Sequence, residues 1–431
     1  MIGFAGLSHL GLVSGMAAAA KGFDVIAYGA DGALCDRLNR GEFPFFEPGL
    51  EELWSANRSR INFTAAAAEL SLCQVIYLSL DVATDENGGS DLSGLTDLID
   101  RVVAAAANDT ILIVLSQVPP GFTRKLAGRI EPLRNTRGLQ LFYQVETLIF
   151  GRAVERAMEP ERFIVGANDP RHELPETYQN VLSAFDCPIL VMRYESAELA
   201  KISINMCLVS SVSVANTMAE LCEKIGADWS EIVPALKLDK RIGQYAYLTP
   251  GLGIAGGNLE RDIATVVSLA NEFGADDGVP DAWIANSRYR RDWVLRVLHA
   301  GVISRVANPM IAVWGLAYKQ DTNSTKNSPA LFLIDALKPF SVRAYDPAVT
   351  LEAGIQPNFL QSATALEACE GADALAIMTP WPEFSAIDIA EIRQLMKGRV
   401  IVDPYSMLDG ETCGRSGFSY FKLGSPAGKG K

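Results

Sequence analysis

The sequence has few of the residues from which metal sites and disulfide frameworks are built. Its 431 residues include three histidines and seven cysteines, and no two cysteines form a C-x-x-C pair. Scattered cysteines, odd in number, are typical of free thiols in a reducing compartment. We therefore expect no bound metal, no disulfide framework and a cytoplasmic location.

Basic clusters and long apolar runs are missing as well. The formal net charge is −13 and no predicted helix concentrates lysine or arginine on one face, which argues against a nucleic-acid partner. No run reaches the roughly 18 apolar residues of a membrane span, so no membrane partner is expected. The apolar N-terminal segment has no basic residue ahead of it, unlike a secretory signal. An anionic ligand would have to be held by a few local cations and by backbone N–H groups.

What the sequence does contain is a regular alternation of apolar segments of strand length with amphipathic segments of helix length. This alternation predicts β-α-β units and a mostly parallel sheet over roughly the first 190 residues. The strands predicted there are Ile2–Phe4, Asp24–Tyr28, Gln74–Leu80, Thr110–Leu115, Gln140–Tyr143, Phe163–Val165 and Ile189–Val191. A second alternating region has predicted strands at Met310–Trp314, Ser341–Tyr345, Ala374–Met378 and Arg399–Val402.

The two alternating regions are separated by a helical segment. Glu195–Ile225 contains neither proline nor glycine and is the longest helical pattern in the chain. It is apolar on more than one face, which favours a dimer interface or an interdomain spine over a solvated rod. Helical character continues to about Ala300, so three domains are predicted, at residues 1–192, 193–300 and 301–431.

A glycine-containing turn follows the first predicted strand. Gly6, Ser8 and Gly11 match the dinucleotide fingerprint G-x-G-x-x-G except for the middle position, where serine keeps an available backbone N–H. A phosphate group at the N-terminus of the next helix is the ligand this turn predicts, although a plain strand–turn–helix is an equally good interpretation of the turn alone. Gly29 occupies the position after the second strand where the fingerprint has an acidic residue, and Asp31 lies two positions later.

A second glycine-rich stretch, GLGIAGGNLERD, spans Gly251–Asp262. Five small residues precede Asn258, and such a run indicates that something approaches the backbone closely. We name Gly251–Gly257 the glycine loop.

Seven segments of the chain together resemble the UDP-glucose/GDP-mannose dehydrogenase family. They are LNRGEFPFFEPGLEEL (Leu38–Leu53), TDENGGSDLS (Thr84–Ser93), SQVPPGFTRKL (Ser116–Leu126), AELAKISIN (Ala197–Asn205), RIGQYAYLTPGLGIAGGNLERD (Arg241–Asp262), VWGLAYKQDTNSTKNSPAL (Val313–Leu331) and AYDP (Ala344–Pro347). The resemblance implies an α/β fold with two Rossmann-like, doubly wound parallel-sheet domains joined by a central helical dimerisation domain. It further implies that the first domain binds NAD, that the last binds the nucleotide of a sugar nucleotide, and that the chain forms a homodimer. Members of the family oxidise a sugar C6 alcohol twice, to the acid, reducing two NAD molecules.

The resemblance also shows where this sequence departs from the family. The family's loop ends in a cysteine that forms a thiohemiacetal and then a thioester, and that position is Asn258, whose delocalised amide nitrogen is not a nucleophile. Gln117 replaces a threonine, and Phe150 replaces a second, water-activating glutamate. Three further departures are Gly29 for the ribose-binding aspartate, Asp81-Val82-Ala83 for G-T-P, and Tyr405 for the arginine of D-G-R.

The resemblance also assigns site residues, among which retained positions such as Lys201 and Asp262 stand beside replaced positions such as Asn258. By resemblance, the catalytic set is Lys201, Asn205, Asp262, Asn258 and Glu146, in which the lysine, the first asparagine and the aspartate surround the reacting oxygen through water. The cofactor-binding set is Gly6, Ser8, Gly11, Asp31, Gln117 and Lys326, the last in place of an arginine near the pyrophosphate. The substrate-binding set is Arg241, Tyr247, Gly253, Gly256, Tyr318 and Lys319, with the arginine coming from the partner subunit.

Each retained residue also has a purely structural interpretation. Lys201 and Asn205 fit a solvated helix face, Asp262 fits the cap of a helix beginning at Ile263, and Tyr318 fits a packing role. Arg241, like Lys319, fits an ordinary surface charge.

The retained set suits one hydride transfer and not two. We therefore expect an NAD-dependent dehydrogenase of a nucleotide-linked sugar, with UDP-hexose as its substrate, that works without the cysteine. Two alternatives stay open: a redox-neutral epimerase that uses NAD transiently, and a non-catalytic protein that binds a sugar nucleotide. The loss of the D-G-R arginine leaves the identity of the nucleotide open, and Gly29 leaves open the choice between NAD and NADP.

Overall fold

The computed structural model describes residues 1–84, 89–352 and 356–426. Contacts between Cα atoms divide the chain into two compact units, Met1–Ile204 and Asn205–Lys431. Residues 85–88, which belong to the family-like segment Thr84–Ser93, lie outside the described residues, as do residues 353–355 and 427–431.

The first unit is built on an eight-stranded sheet. Its strands are β1 (Ile2–Ala5), β2 (Val25–Tyr28), β3 (Ile61–Thr64), β4 (Val75–Leu78), β7 (Ile111–Val114), β8 (Gln140–Gln144), β9 (Phe163–Ala167) and β10 (Ile189–Arg193), and a separate two-stranded ribbon pairs β5 (Ala83–Thr84) with β6 (Ser90–Asp91). The strand order is β10-β9-β8-β7-β4-β1-β2-β3, and all neighbours are parallel except β8 and β9. The predicted, mostly parallel sheet is therefore confirmed.

Helices cover this sheet on both faces. They are α1 (His9–Ala20), α2 (Gly32–Asn39), α3 (Leu50–Asn57), α4 (Ser93–Ala105), α5 (Phe122–Arg129), α6 (Glu131–Arg137), α7 (Ala153–Met158) and α8 (Glu176–Ser183), with a 3-10 turn at Ala67–Leu72. Alternate residues of one strand enter different cores: Val25 and Ala27 pack on the face of α1, whereas Ile26 and Tyr28 pack on the opposite face. This two-residue alternation is how a strand that is buried on both sides joins two helical layers.

Helix α9 (Tyr194–Ile225) matches the predicted long helix within one residue at its start. Among the described residues it is the one helix that is long and apolar enough to cross a membrane. Core helices of soluble proteins meet the same criterion of length and composition. Glu198 on its first turns is fully buried and accepts hydrogen bonds from the backbone N–H groups of Gly121 (2.6 Å) and Thr123 (2.7 Å). The start of α9 is thereby fixed to the N-terminus of α5.

The second unit contains the remaining helices and a six-stranded, fully parallel sheet. Its helices are α10 (Trp229–Leu238), α11 (Asn258–Phe273), α12 (Gly278–Arg291), α13 (Trp293–Leu298), α14 (Pro329–Ala336), α15 (Ala365–Cys369), α16 (Ile389–Leu395) and α17 (Gly410–Arg415), with a π-helical turn at His299–Ile303 and a 3-10 turn at Pro382–Ala386. Its strands are β11 (Met310–Trp314), β12 (Ser341–Tyr345), β13 (Phe359–Gln361), β14 (Ala374–Ile377), β15 (Val400–Val402) and β16 (Ser419–Phe421), in the order β13-β12-β11-β14-β15-β16. The predicted second α/β sheet is confirmed.

Apart from the short ribbon of β5 and β6, three strands were not predicted from the sequence: β3, β13 and β16. Each lies at the edge of its sheet and has three or four residues. An edge strand is buried by fewer neighbours, so its apolar pattern is short and interrupted, as by the exposed Asn62 in β3.

A buried ion-pair network holds the helices of the second unit together. The side chain of Arg290 on α12 is fully buried and lies 3.4 Å from Glu220 and 3.3 Å from Glu223, both on α9. Glu223 also accepts hydrogen bonds from the indole N–H of Trp293 (2.9 Å) and the backbone N–H of Gly424 (3.0 Å). One carboxylate thus connects α9, α13 and the end of the chain.

Replacing Arg290 with alanine is expected to lower the free energy of unfolding by about 3 kcal/mol, because it leaves two carboxylates without their buried cation. Urea denaturation followed by circular dichroism measures the change. Lys224→Ala is the matched control, since Lys224 is exposed and contacts the same Glu220 at 3.0 Å. Equal losses in the two variants would contradict the central role of Arg290.

Candidate functional site

The turn between β1 and α1 is fixed by two glycines. Gly6 has a φ of +109°, and a Cβ atom there would lie 2.8 Å from the backbone nitrogen of Leu80. A Cβ atom on Gly11 would lie 1.9 Å from the carbonyl oxygen of Gly6. Both positions therefore require glycine, and they bring the start of α1 close to the carboxyl end of β1, where dinucleotide-binding proteins place the pyrophosphate.

The serine of this turn bonds with the loop that follows β4. The Ser8 hydroxyl donates to the carbonyl of Ser79 (3.2 Å) and accepts from the backbone N–H of Asp81 (2.8 Å). The carboxylate of Asp81 in turn accepts from the backbone N–H of Leu10 (3.2 Å). A carboxylate of the protein itself therefore stands at the N-terminus of α1.

The region after β2 has no ribose-binding acid in the usual place. A Cβ atom on Gly29 would lie 2.6 Å from Cδ1 of Leu7, so the Leu7 side chain occupies the space where a carboxylate would begin. Asp31 is exposed and caps α2, accepting from the backbone N–H of Leu34 at 3.1 Å. Gln117 lies three residues beyond the end of β7 and is half-buried at the carboxyl edge of the same sheet.

Lys201 on α9 forms a close pair with Glu146, which follows β8. Its Nζ atom lies 2.6 Å from a carboxylate oxygen of Glu146 and donates to the backbone carbonyl of the same residue at 3.1 Å. The two side chains are only 13% and 15% exposed, so Lys201 is not the solvated lysine of its structural interpretation. The second carboxylate oxygen of Glu146 accepts from the backbone N–H of Leu148 (2.9 Å).

An aromatic and acidic cluster beside this pair was missed by the sequence reasoning. His9, the first residue of α1, is 2.9 Å from the buried carboxylate of Glu47, and its imidazole stacks on Phe150 with ring centroids 4.0 Å apart. Glu47 also accepts from the backbone N–H groups of Gly151 (3.1 Å) and Ala153 (2.8 Å). The only sequence signal for this contact was a histidine at a helix start, because its partners lie far along the chain.

In the second unit, Asn205 and Asp262 are brought together. The amide of Asn205 donates to the carboxylate of Asp262 at 2.5 Å, and the carboxylate is almost fully buried, with Nε of Arg261 at 3.8 Å. Helix α11 begins at Asn258, with Gly257 as its N-cap residue. The suggested role of Asp262 as the cap of a helix starting at Ile263 is therefore wrong, because the helix begins five residues earlier.

The glycine loop is approached by side chains of its own unit. A Cβ atom on Gly253 would lie 2.4 Å from the carbonyl of Ser287, and one on Gly256 would lie 3.1 Å from the ring of Tyr318. A Cβ atom on Gly257 would lie 3.0 Å from Nζ of Lys326. These three contacts explain the need for small residues and place two predicted ligand-binding residues, Tyr318 and Lys326, against the loop.

Further contacts complete the surroundings of the loop. The amide of Asn327 donates to the carbonyl of Gly256 (2.8 Å) and to the carboxylate of Glu260 on α11. Burial raises the pKa of Glu260, although the cations of Arg291 and Lys326 act in the opposite direction. Asn258 itself is exposed at the first position of α11. The loop thus ends at a helix N-terminus with cations near it, a setting that suits an anionic ligand.

The segment that carries Tyr318 and Lys319 is held by Asp346 of the AYDP motif. One buried carboxylate oxygen accepts from the backbone N–H groups of Leu316 (2.6 Å) and Ala317 (3.0 Å) and from the indole N–H of Trp381 (3.1 Å). Lys319 is half-buried, with its ammonium 5.7 Å from the centroid of the Tyr318 ring.

Arg241 and Tyr247 lie in the segment between α10 and α11. The side chain of Arg241 is 89% exposed and pairs with Asp239 (2.6 Å), and Tyr247 is 53% exposed. Both are accessible to a second copy of the chain. The position of the family's D-G-R motif has no such cation: Asp403 is fully buried and accepts from the hydroxyl of Tyr420 at 2.8 Å.

Taken together, these features define a protein with one parallel sheet built to hold a dinucleotide and a second α/β sheet whose loops present a glycine-rich segment and cations. Comparison with family models narrows this class. The NAD-binding domain of the UDP-glucose/GDP-mannose dehydrogenase family matches residues 1–186, its central domain matches residues 195–286 and its UDP-binding domain matches residues 312–410. The chain belongs to the UDP-glucose/GDP-mannose dehydrogenase family.

Individual relatives agree along the whole chain. The UDP-glucose 6-dehydrogenase of Rickettsia typhi is 29% identical, with 98% of this chain and 99% of that protein covered, and a UDP-glucose 6-dehydrogenase of Bacillus subtilis is 28% identical, with 99% and 93% covered. Among solved structures, a UDP-glucose dehydrogenase from Pyrobaculum islandicum superposes with a TM-score of 0.82 at 25% identity over 93% of each chain. A UDP-D-ManNAc dehydrogenase from Pyrococcus horikoshii, 24% identical, shares the fold with a TM-score of 0.83 over 98% of this chain and 99% of that one.

Membership of this family makes the chain an oxidoreductase with NAD as its cofactor and a nucleotide sugar as its substrate class. The close approach required at Gly6 and Gly11 fits a dinucleotide at α1. The Asp81 carboxylate at the same helix end does not match the family pattern.

Replacing Gly11 with alanine is expected to lower the free energy of unfolding by roughly 2 kcal/mol or more, because the added methyl group collides with backbone that cannot move cheaply. Calorimetric titration of the folded fraction is expected to show weaker NAD binding. Gly15→Ala is the matched control on the same helix, since its Cβ atom would lie 3.5 Å from the Phe4 ring, an ordinary contact. It is expected to be neutral or stabilising by up to about 1 kcal/mol, because alanine favours helix. Similar losses for both variants would contradict the close-packing argument.

Proposed function

We propose that this chain oxidises one carbinol of a nucleotide-linked hexose in a single hydride transfer to NAD, without a thioester step. The observation that carries the proposal is Asn258. It stands, exposed, at the first position of α11, where the family has its cysteine, and its amide nitrogen cannot attack an aldehyde.

The retained polar residues support the proton-handling half of such a reaction. Two oxygen atoms of Glu146, one from the carboxylate and one from the backbone carbonyl, orient the ammonium of Lys201. Since an ammonium has three N–H groups, the third can donate to a substrate oxygen or a water. The carboxylate of Asp262 is oriented by Asn205. We assign to Lys201 and Asp262 the relay that takes the hydroxyl proton through water, and NAD, when bound, accepts the hydride.

The ligand-binding residues are assigned either to the cofactor or to the nucleotide sugar. Gly6, Ser8 and Gly11 are assigned to the cofactor pyrophosphate, with Lys326 as a further cation. Lys319 and the Tyr318 ring are assigned to the nucleotide sugar, together with the glycine loop. A UDP-hexose is the favoured substrate, because the family's UDP-binding domain covers residues 312–410.

A homodimer in the cytoplasm is part of the proposal. Five large apolar side chains on α9 are 40–74% exposed: Leu199, Val214, Met218, Leu221 and Ile225. Burying such a row against a second copy is the usual way that a protein covers an apolar helix face. The exposed Arg241 would then act on the substrate of the partner subunit.

Incubation with NAD and a panel of UDP-, GDP- and dTDP-hexoses is expected to yield no more than one NADH per sugar, because a second oxidation needs a nucleophile or an activated water. Absorbance of NADH and mass spectrometry of the sugar product measure the outcome. Two NADH per sugar and a uronic acid would contradict the single-step proposal. A changed hexose without net NADH would support the redox-neutral alternative.

Asn258→Cys is expected to give no robust acid formation, although it restores the family's nucleophile. Gln117 and Phe150 remain, and Phe150 is stacked on His9 where the family has its second glutamate. Product analysis of the variant beside the wild type and Asn258→Ser provides the test. Efficient uronate formation by the cysteine variant alone would show that the rest of the site is intact for both oxidations.

The binding-only alternative is supported by one specific observation, the contact of Asp81 with the helix end that NAD phosphates would use. If sugar nucleotides raise the melting temperature but no hexose of the panel yields NADH at saturating NAD, that alternative replaces the proposed dehydrogenase.

A further inference from the structure

Two departures from the family pattern touch each other. Ser8 stands where the fingerprint has its middle glycine, and Asp81 stands where the family's G-T-P motif begins, 73 residues further along the chain. The Ser8 hydroxyl accepts the backbone N–H of Asp81 at 2.8 Å while it donates to Ser79 at 3.2 Å. The two changes therefore form one structural unit, in which the serine holds the backbone from which the Asp81 side chain projects.

The Asp81 carboxylate completes this unit at α1. One of its oxygens accepts the backbone N–H of Leu10 at 3.2 Å. Leu10 is the second residue of a twelve-residue helix, so its N–H belongs to the first turn, where the helix itself offers no acceptor. The first turn of α1 contains no acidic residue of its own. Asp81 therefore supplies, from another strand, the negative charge that a helix N-terminus attracts.

The same end of the same helix is where a Rossmann-type sheet binds the pyrophosphate of its cofactor. Phosphate oxygens would accept from the first-turn N–H groups and gain from the helix dipole, as the Asp81 carboxylate does here. Two anions cannot share these donors, because they compete for one hydrogen bond and repel each other.

We propose that Asp81 is an internal competitor for the cofactor phosphates, so that NAD binds at α1 only when the Asp81 carboxylate has left Leu10 or has taken up a proton. This inference rests on the use of NAD by the chain, and it adds a residue that sets cofactor affinity. Ser8 acts as its positioning residue. The contact gives this chain weaker NAD binding and a pH dependence that a glycine at position 81 would not produce.

The surroundings of Asp81 determine the direction of that pH dependence. Partial loss of hydration in the turn is the largest influence on the Asp81 carboxylate and raises its pKa, and the nearby Glu146 acts in the same direction. The Leu10 N–H, the Ser8 hydroxyl and His9 lower the pKa without cancelling the effect of the lost hydration. His9 is itself paired with Glu47, and Glu146 with Lys201, so each of the two charged neighbours has its own partner.

The sign follows from the raised pKa. Asp81 takes up a proton at a higher pH than an ordinary aspartate, and the protonated form no longer competes as an anion. NAD affinity of the wild type should therefore rise as the pH falls through the pKa of Asp81, with net proton uptake on binding above that point.

The test is isothermal titration of the full-length protein with NAD over a series of pH values, from about pH 8 down to the lowest pH at which the protein stays folded, in buffers of different ionisation enthalpy. Asp81→Asn keeps the shape and removes the charge, and Asp81→Gly restores the family residue. Both variants are expected to bind NAD roughly tenfold more tightly than the wild type at the highest pH, since a competing charge-assisted hydrogen bond is lost. On acidification the wild type should approach the Asp81→Asn value, and the proton uptake should disappear in that variant.

Asp186→Asn is the matched control. It makes the same charge change in the same unit, at an exposed position just before the edge strand β10. Its NAD affinity and pH profile should equal those of the wild type. Because His9 and Glu146 are unchanged in all variants, any pH dependence that they cause persists in Asp81→Asn and can be subtracted.

Ser8→Gly tests the positioning role. It should tighten NAD binding in the wild-type background and have a smaller effect in Asp81→Asn, because the serine acts through the carboxylate. An equal effect in both backgrounds would show that Ser8 does not act through Asp81.

The inference is overturned if Asp81→Asn and Asp81→Gly bind NAD no more tightly than the wild type, or if no variant binds NAD. Its failure can be told apart from failure of the proposed function. If the wild type forms NADH but the Asp81 variants bind NAD no more tightly than it does, the proposed dehydrogenase is supported and this inference is wrong. If the Asp81 variants bind NAD more tightly but no hexose yields NADH, this inference is supported and the proposed dehydrogenase is wrong.

Discussion

The first unit depends on the close approach of α1 to β1. A side chain at position 11 would begin 1.9 Å from the carbonyl oxygen of Gly6, so the helix can lie where it does only because that position is glycine. This approach fixes the helix start within hydrogen-bond reach of the loops after β4 and β8. The turn contacts of Ser8, the stacking of His9 and the hydrogen bond from the Leu10 N–H to Asp81 all follow from it, and with them the properties of the cofactor site.

Positions that differ from the family have acquired new partners in this structure. Phe150 fills the place of a glutamate by stacking on His9, and His9 is in turn paired with a buried carboxylate. Leu7 fills the space beside Gly29. These contacts give the positions that depart from the family partners of their own within the first unit. By contrast, Lys201 is paired with Glu146, and Asn205 with Asp262, so these family residues have polar side-chain partners.

The sheets could be predicted from the sequence because buried parallel strands are short apolar runs between amphipathic helices, and β11 and β12 match their predicted bounds residue for residue. Three of the four edge strands of the two large sheets, β3, β13 and β16, could not, since one exposed side breaks the apolar pattern. At the site, the glycines and the retained polar residues were visible in the sequence, but the beginning of α11 was not, and this made the cap role of Asp262 wrong. The bond between Ser8 and Asp81 spans 73 positions, and no local pattern encodes a contact that exists only after the sheet has formed.

The last described residues of the chain are built into its middle. The carbonyl of Gly424 accepts from the backbone N–H of Trp229 (2.8 Å), its N–H donates to Glu223, and the Ser425 hydroxyl donates to Asp228 (2.9 Å). About 200 residues of translation separate these partners. During synthesis the central helices therefore leave the ribosome long before the segment that contains Gly424 and Ser425 can reach them. Until that segment has been made, Glu223 and Asp228 lack the hydrogen bonds that it supplies.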